Sequence, residues 1–273
     1  MNVWPQSLAL AGVGKMGGAM LEGWLASGLN PAGVRLIEPN PSAEIQALAT
    51  QRGLTLNAAA GASTTPEVLV LAVKPQMLDT AAPQLAALAG TDTLVVSIIA
   101  GKTIRDLTAR FPAARAFVRA MPNTPAAIGR GATGAAAGPD VTGRQKDITQ
   151  TLLSAVGAFH WLADEAQVDA VTALSGSGPA YVFALTEAMA EAGARLGLPA
   201  DLAMDLARAT VEGAGELMFR QPETSAAQLR QNVTSPGGTT AAALAVLQAP
   251  DGLAALMARA IAAAHRRAGE LSG

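Results

Sequence analysis

The chain has 273 residues, half of them apolar and 15% charged, with a formal net charge of −2; it is long enough to bury a substantial core as one large domain or two smaller ones. That charge, with basic residues scattered rather than clustered, argues against nucleic acid and anionic membrane as partners, so any charged partner is expected to be small. The absence of cysteine excludes a disulfide framework, a thiolate nucleophile and a cysteine metal site, and favours the cytoplasm.

The first apolar run has no cationic flank and breaks at Gly12, which fits a strand better than a signal peptide, and no stretch is long and apolar enough to span a membrane. Residues 7–11, 34–38, 68–73 and 93–98 are short apolar runs closed by Gly, Pro or a polar residue and read as buried parallel strands. Helical stretches are expected over 14–26, ending at Ser27 and Gly28, and over 41–51, ending at Gly53. Strand, helix, strand is the crossover unit of a doubly wound sheet, and 114–118 and 132–136 add further strand candidates.

Strand signals stop after about 159–162, and from 165 to 273 the chain is rich in Ala, Leu and Met with a helical pattern. The sequence therefore divides into an α/β domain over 1–160 and an all-helical domain over 161–273. Sparse charge on the helices suggests that an apolar face is covered by another subunit, the alternative being a compact monomeric bundle. His160 and His265 have no pair of acids beside them and are expected to be structural, so no metal site is expected.

Gly12, Gly14 and Gly17 stand in GVGKMG directly after an expected strand and at the start of an expected helix. In that context the first glycine permits a tight turn, the second lets backbone approach a pyrophosphate, and the third lets helix pack on strand, with the helix N-terminus facing the anion. The expected architecture is thus an N-terminal Rossmann doubly wound parallel sheet followed by an all-α domain. Glu38 closes the second strand where an acid hydrogen-bonds the adenosine ribose, which tilts the cofactor towards NADH. Asn40, Ser42 and Asn57 are neutral donors that keep NADPH open, and Lys74, after the third strand, is a candidate for ribose or phosphate.

Two later stretches carry more glycine and hydroxyl than packing requires, ALSGSGPAYV at 173–182 and NVTSPGGTTAAAL at 232–244. The second reads as a loop entering a helix, where Gly238, Ser235, Thr239 and Thr240 form a neutral trap for a small carboxylate. Ketone reduction needs a proton from His, Lys or Tyr, yet residues 161–273 contain no lysine and only one tyrosine, Tyr181, in an apolar run. A cyclic iminium relaxes that demand, because hydride addition discharges its positive charge.

With GVGKMG, AVKPQ at 72–76, RAMPNTP at 119–125, ALSGSGPAY and NVTSPGGTT in order, the sequence resembles the pyrroline-5-carboxylate reductases from about residue 7 to 270. The resemblance implies NADPH- or NADH-dependent reduction of 1-pyrroline-5-carboxylate to L-proline by a homo-oligomer of interlocked dimers, often a decamer. It implies that Gly12, Val13, Gly14, Lys15, Met16, Gly17, Asn57, Ala72, Val73, Lys74, Pro75, Ala100 and Gly101 hold the cofactor, with Met121 and Asn123 near the nicotinamide. It further implies that Ser235, Gly237, Gly238, Thr239 and Thr240 bind the substrate carboxylate, with the Thr240 hydroxyl on the ring nitrogen as the catalytic group. Glu223 matches a family acid near that nitrogen's access path, and the resemblance implies a site completed across the dimer. Family members usually prefer NADPH, in tension with Glu38. Of the rival readings, a β-hydroxyacid dehydrogenase is disfavoured because Val182 stands where GSGxxxK would put lysine, and a cofactor-sensing module would bind nucleotide without turnover.

Overall fold

The central parallel strands form where apolar residues run together, because both faces of the sheet are covered there. β1 (Leu8–Ala11), β4 (Val68–Leu71) and β5 (Leu94–Ser97) are buried at every position. A computed structural model describes residues 2–57 and 65–272. Its eight-stranded sheet also contains β2 (Val34–Ile37), β3 (Thr55–Leu56), β6 (Ala116–Met121), β7 (Gly131–Ala137) and β8 (Gly157–Trp161), in the order β3-β2-β1-β4-β5-β6-β7-β8. The first six strands are mutually parallel, while β7 runs antiparallel to β6 and β8 parallel to β7. The order reverses between β1 and β4, which creates the crevice where doubly wound sheets bind ligands.

Helices α1 (Lys15–Ala26), α2 (Ala43–Arg52), α3 (Leu78–Ala86), α4 (Ile104–Arg110) and α5 (Gly143–Ser154) connect the strands. Their ends follow local chemistry. Ser42 caps α2 through Ile45 N–H, Gly53 ends it in the left-handed region at φ +65°, and Thr142 with Gln145 forms a reciprocal cap on α5. On one face of the sheet Trp24 of α1 is fully buried and donates its indole N–H to the Leu152 carbonyl of α5 at 2.7 Å. The opposite face buries Leu78, Leu85, Leu107 and Phe111 from α3, α4 and the end of α4.

At α4 the Thr103 hydroxyl accepts the Asp106 N–H at 3.1 Å, and Asp106 Oδ2 accepts the Thr103 N–H at 3.0 Å and its hydroxyl at 2.8 Å. Partial burial pushes the Asp106 carboxyl up, but these bonds, with the charges of Lys102 and Arg110, hold it below the ordinary carboxylate range. A depressed folded-state value means that the stabilisation is present above the unfolded pKa of about 3.9 and is lost as pH falls through the folded value. Asp106→Asn should therefore lower the melting temperature at pH 7 and converge with the wild type as the buffer is taken below about pH 4. Melting curves across that range check this; a gap that does not change with pH would refute it.

The chain divides into two compact units, 1–177 with 264–273, and 178–263. The break expected after residue 160 falls inside β8, an edge strand whose positions alternate between partial burial and exposure. The first unit continues through α6 (Gln167–Val171) and a π-helical turn (Thr172–Gly176), because Val168 and Val171 pack with Met121 and Ala136 against the sheet.

Arg119 fixes this corner of the first unit. Its side chain is 3% exposed and pairs with Asp169 at 2.8 Å and Glu165 at 3.5 Å, while Ser272 Oγ accepts from it at 3.1 Å. The second unit holds α7 (Gly178–Arg195), α8 (Ala200–Arg220), α9 (Ala226–Asn232), α10 (Thr239–Leu247) and the first half of α11 (Leu253–Ser272). α7 and α8 meet through small residues, with Ala190, Ala203 and Ala207 buried. Their large apolar residues, among them Phe183, Leu185, Leu206 and Met218, stay exposed.

Candidate functional site

In the first unit the C-terminal ends of β1, β2, β4, β5 and β6 lie along one edge of the sheet, so the segments that follow them converge there. Gly12 leaves β1 at φ +89°, and a Cβ on it would meet the Ala72 carbonyl oxygen at 2.6 Å and Val73 N at 2.8 Å. A Cβ on Gly17 would fall on the Gly12 carbonyl oxygen and reach Ala72 Cβ at 3.4 Å. These two glycines are therefore required by the close approach of α1, the β1 turn and the 72–75 segment. Gly14 differs: its Cβ would meet nothing within 4 Å, its φ is −75°, and it opens α1 without a side-chain cap. Open space before an uncapped helix N-terminus fits a pyrophosphate, which would take the first-turn N–H groups of Lys15, Met16 and Gly17 as donors.

Gly14 and Lys15 are exposed, Val13 is buried and Met16 half-buried, so only part of the turn is open to a ligand. Lys74 is exposed and precedes a 3-10 turn (Pro75–Met77), whose Met77 N–H donates to its carbonyl at 2.8 Å. Glu38 follows β2 and accepts the Val13 N–H on Oε2 at 2.9 Å and the Asn40 N–H on Oε1 at 3.1 Å. Asn57, at φ +49°, clamps the Glu38 backbone: its Oδ1 accepts the Glu38 N–H at 2.9 Å and its Nδ2 donates to the Glu38 carbonyl at 2.8 Å. Asn57, read from sequence as a donor to the cofactor, also holds the Glu38 backbone in place.

Two further residues also serve the protein itself. The Asn123 amide is engaged at both ends, donating to the Ser175 carbonyl at 2.9 Å and accepting the Ala132 N–H at 2.8 Å. It thereby ties the MPNTP segment to the π-turn of the ALSGSGPAY segment, beneath which Met121 is 7% exposed. Gly101, at φ +69°, is crossed by the end of α11, where a Cβ would meet the Leu271 carbonyl oxygen at 2.6 Å. Ala100 packs with Met121 and Ala136. Arg119 was not singled out from sequence; the signal was a lone charge in the otherwise apolar strand AFVRAM.

In the second unit the segment 234–240 turns tightly into α10. Gly237 is at φ +68°, the Gly238 N–H donates to the Ser235 carbonyl at 3.1 Å, and a Cβ on Gly238 would meet Ser235 Oγ at 2.6 Å. Gly238 is the N-cap and offers no side-chain oxygen, so the N–H groups opening the nine-residue α10 have no cap. Ser235 and Thr239 are exposed and Thr240 partly so. The structure thus brings Ser235, Gly237, Gly238, Thr239 and Thr240 into one hydroxyl-lined helix start, suited to a carboxylate. Glu223 lies apart from that segment in sequence, in the exposed turn between α8 and α9. Among the described residues no cluster of three His, Asp or Glu could hold a metal ion, and no helix is long and apolar enough to cross a membrane.

Comparison with known proteins accounts for both halves. Residues 165–271 match the family described as pyrroline-5-carboxylate reductase dimerisation, and residues 7–101 match NADP oxidoreductase coenzyme F420-dependent. A pyrroline-5-carboxylate reductase of Pseudomonas aeruginosa is 40% identical over 265 residues, covering 97% of this chain and 96% of that protein. The solved structure of a pyrroline-5-carboxylate reductase from Coxiella burnetii superposes with a TM-score of 0.90 at 36% identity, covering 98% of this chain and 99% of that one. A pyrroline carboxylate reductase from Plasmodium falciparum, crystallised with NADP bound, gives 0.79 at 25% identity, covering 98% of each chain. With a nucleotide-type glycine turn, an uncapped hydroxyl-rich helix start and these relatives over nearly its full length, the chain belongs to the pyrroline-5-carboxylate reductase family.

Proposed function

We propose that the chain reduces 1-pyrroline-5-carboxylate to L-proline with NAD(P)H, the last step of proline biosynthesis. The observation that carries this is the uncapped start of α10 with Thr239 and Thr240 on it, in a chain whose glycine turn also leaves open space at Gly14 before α1. Gly12, Val13, Gly14, Lys15, Met16 and Gly17, with Ala72, Val73, Lys74 and Pro75, would hold the cofactor; Ala100, Gly101, Met121 and Asn123 would shape the wall behind it. Bound NAD(P)H supplies a hydride to the carbon of the ring C=N bond.

The chain's own task is then mostly positioning and charge compensation. The N–H groups opening α10, with the Ser235 and Thr239 hydroxyls, would hold the carboxylate, and the Thr240 hydroxyl would face the ring nitrogen. A substrate arriving as an iminium needs no acid from the protein, because the C=N electron pair becomes the nitrogen lone pair of the neutral amine. That agrees with the absence of lysine from residues 161–273. Glu223 would carry negative charge near the cationic nitrogen's path. Following loss of nicotinamide absorbance with purified protein and 1-pyrroline-5-carboxylate tests the reading; a nucleotide-binding protein that consumes none would refute it.

The exposed apolar faces of α7 and α8 support association of the helical segment with a second copy. We take the assembly to be a dimer, extended by family resemblance to a decamer, and the enzyme to work in the cytoplasm. Phe183 is 63% exposed, so Phe183→Glu should leave the subunit folded while weakening association by about a hundredfold or more, the equivalent of a buried interface aromatic. Sedimentation at micromolar concentration would show a shift to monomer; an unchanged mass would remove α7 from the interface.

A further inference from the structure

We infer that Glu38 makes this chain prefer NADH over NADPH, an inference that rests on the reductase reading above. The carboxylate is held on the glycine turn itself. Oε2 accepts from Val13, the second residue of GVGKMG, at 2.9 Å, and Oε1 accepts from Asn40 at 3.1 Å. The Asn57 amide fixes the Glu38 backbone at 2.9 and 2.8 Å, so the side chain starts from a rigid base. Each carboxylate oxygen keeps acceptor capacity beyond these single bonds. An acid so placed after the second strand of a doubly wound sheet accepts from the adenosine ribose hydroxyls.

A 2′-phosphate would replace one of those hydroxyls with negative charge beside a fixed carboxylate. The surroundings do not compensate it. From Leu36 to Gln51 and again from Gly53 to Val73 the chain contains no lysine or arginine. The exposed cations of this edge, Lys15 and Lys74, follow β1 and β4 rather than β2. Of the neutral donors read from sequence, Asn57 is committed to the Glu38 backbone and Ser42 accepts the Ile45 N–H at 3.4 Å; the Ser42 hydroxyl and the Asn40 amide can still donate, but they bring no positive charge to balance a phosphate. The NADP in the Plasmodium falciparum relative does not contradict this, because the short segment after β2 decides the preference, not the fold that the two chains share at 25% identity.

The test is equilibrium binding, read by calorimetry, of NADH and NADPH to the full-length wild type and to Glu38→Gln, with circular dichroism melts to show that the variant is folded. The wild type is expected to bind NADH about tenfold or more tightly than NADPH, with the gap narrowing as salt is raised. Glu38→Gln should bring the two nucleotides to within about threefold, chiefly by strengthening NADPH, since the like-charge repulsion is gone. Competition by 5′-AMP against 2′-AMP on the wild type gives the same comparison without a variant, should Glu38→Gln unfold. NADPH binding as tightly as NADH to the wild type, or a folded Gln variant with an unchanged ratio, would overturn the inference. Failure of both nucleotides to bind, with no turnover of 1-pyrroline-5-carboxylate, would overturn the reductase reading and this inference with it.

Discussion

Thr240→Ala is expected to lower kcat by about a hundredfold while leaving nucleotide affinity within about twofold, the loss that follows from deleting one hydrogen bond made to the reacting centre. The substitution is clean for a structural reason. Thr240 is the second residue of α10 and only partly exposed, and its hydroxyl makes no hydrogen bond to any described residue. Alanine is the strongest helix former, so α10 should keep its start and Gly238 its cap position. Thr240→Ser, which restores the hydroxyl, should recover most of the turnover, whereas Thr239→Ala should act mainly on KM through the carboxylate. Steady-state kinetics with nucleotide binding measured separately decides this: unchanged kcat removes Thr240 from the mechanism, and a raised nucleotide Kd would place the defect elsewhere.

What the sequence disclosed depends on whether a feature is local. β1, β2, β4 and β5 were legible because each is an apolar run closed by a glycine, proline or polar residue, and α1 because a glycine turn introduces it. β3 is only two residues long, too short for any pattern, and β8 alternates partial burial with exposure at the sheet edge, which weakens the run that would reveal it. β7 was visible as a strand, but a run of glycine and alanine says nothing about direction, so its antiparallel pairing with β6 emerged only in three dimensions.

The site divides the same way. The glycines of the first turn declared themselves by spacing, as did the helix start at 238–240. Pairings across long separations did not: Asn57 clamping Glu38 joins positions 19 apart, and Asn123 reaching Ser175 joins positions 52 apart. The resemblance places both asparagines by the cofactor; that their side chains also bond within the protein emerges only in three dimensions. Glu38 was legible in position but not in posture, since its Val13 bond depends on how closely β2 lies beside the β1 turn.

Gly17→Ala and Gly14→Ala should separate what the fold needs from what the cofactor needs. At Gly17 the new methyl would clash with the Gly12 carbonyl oxygen, with the Gly12 carbonyl carbon at 3.2 Å and Ala72 Cβ at 3.4 Å. The obstacle is backbone, so relief requires α1 to move away from β1, and overpacking of this kind costs about 3 kcal/mol. Nucleotide affinity should fall by about a hundredfold or more, since the displaced helix start no longer presents its N–H groups. At Gly14 the methyl meets nothing within 4 Å and φ is already −75°, so stability should change by less than about 1 kcal/mol. The same methyl nevertheless occupies the open space before α1 where the pyrophosphate must come close, and affinity should drop by about tenfold or more. Urea unfolding and calorimetric titration on both variants test the pair: a Gly14→Ala protein that binds nucleotide as well as the wild type would show that the pyrophosphate lies elsewhere, and a Gly17→Ala protein of undiminished stability would show that α1 can yield at no cost.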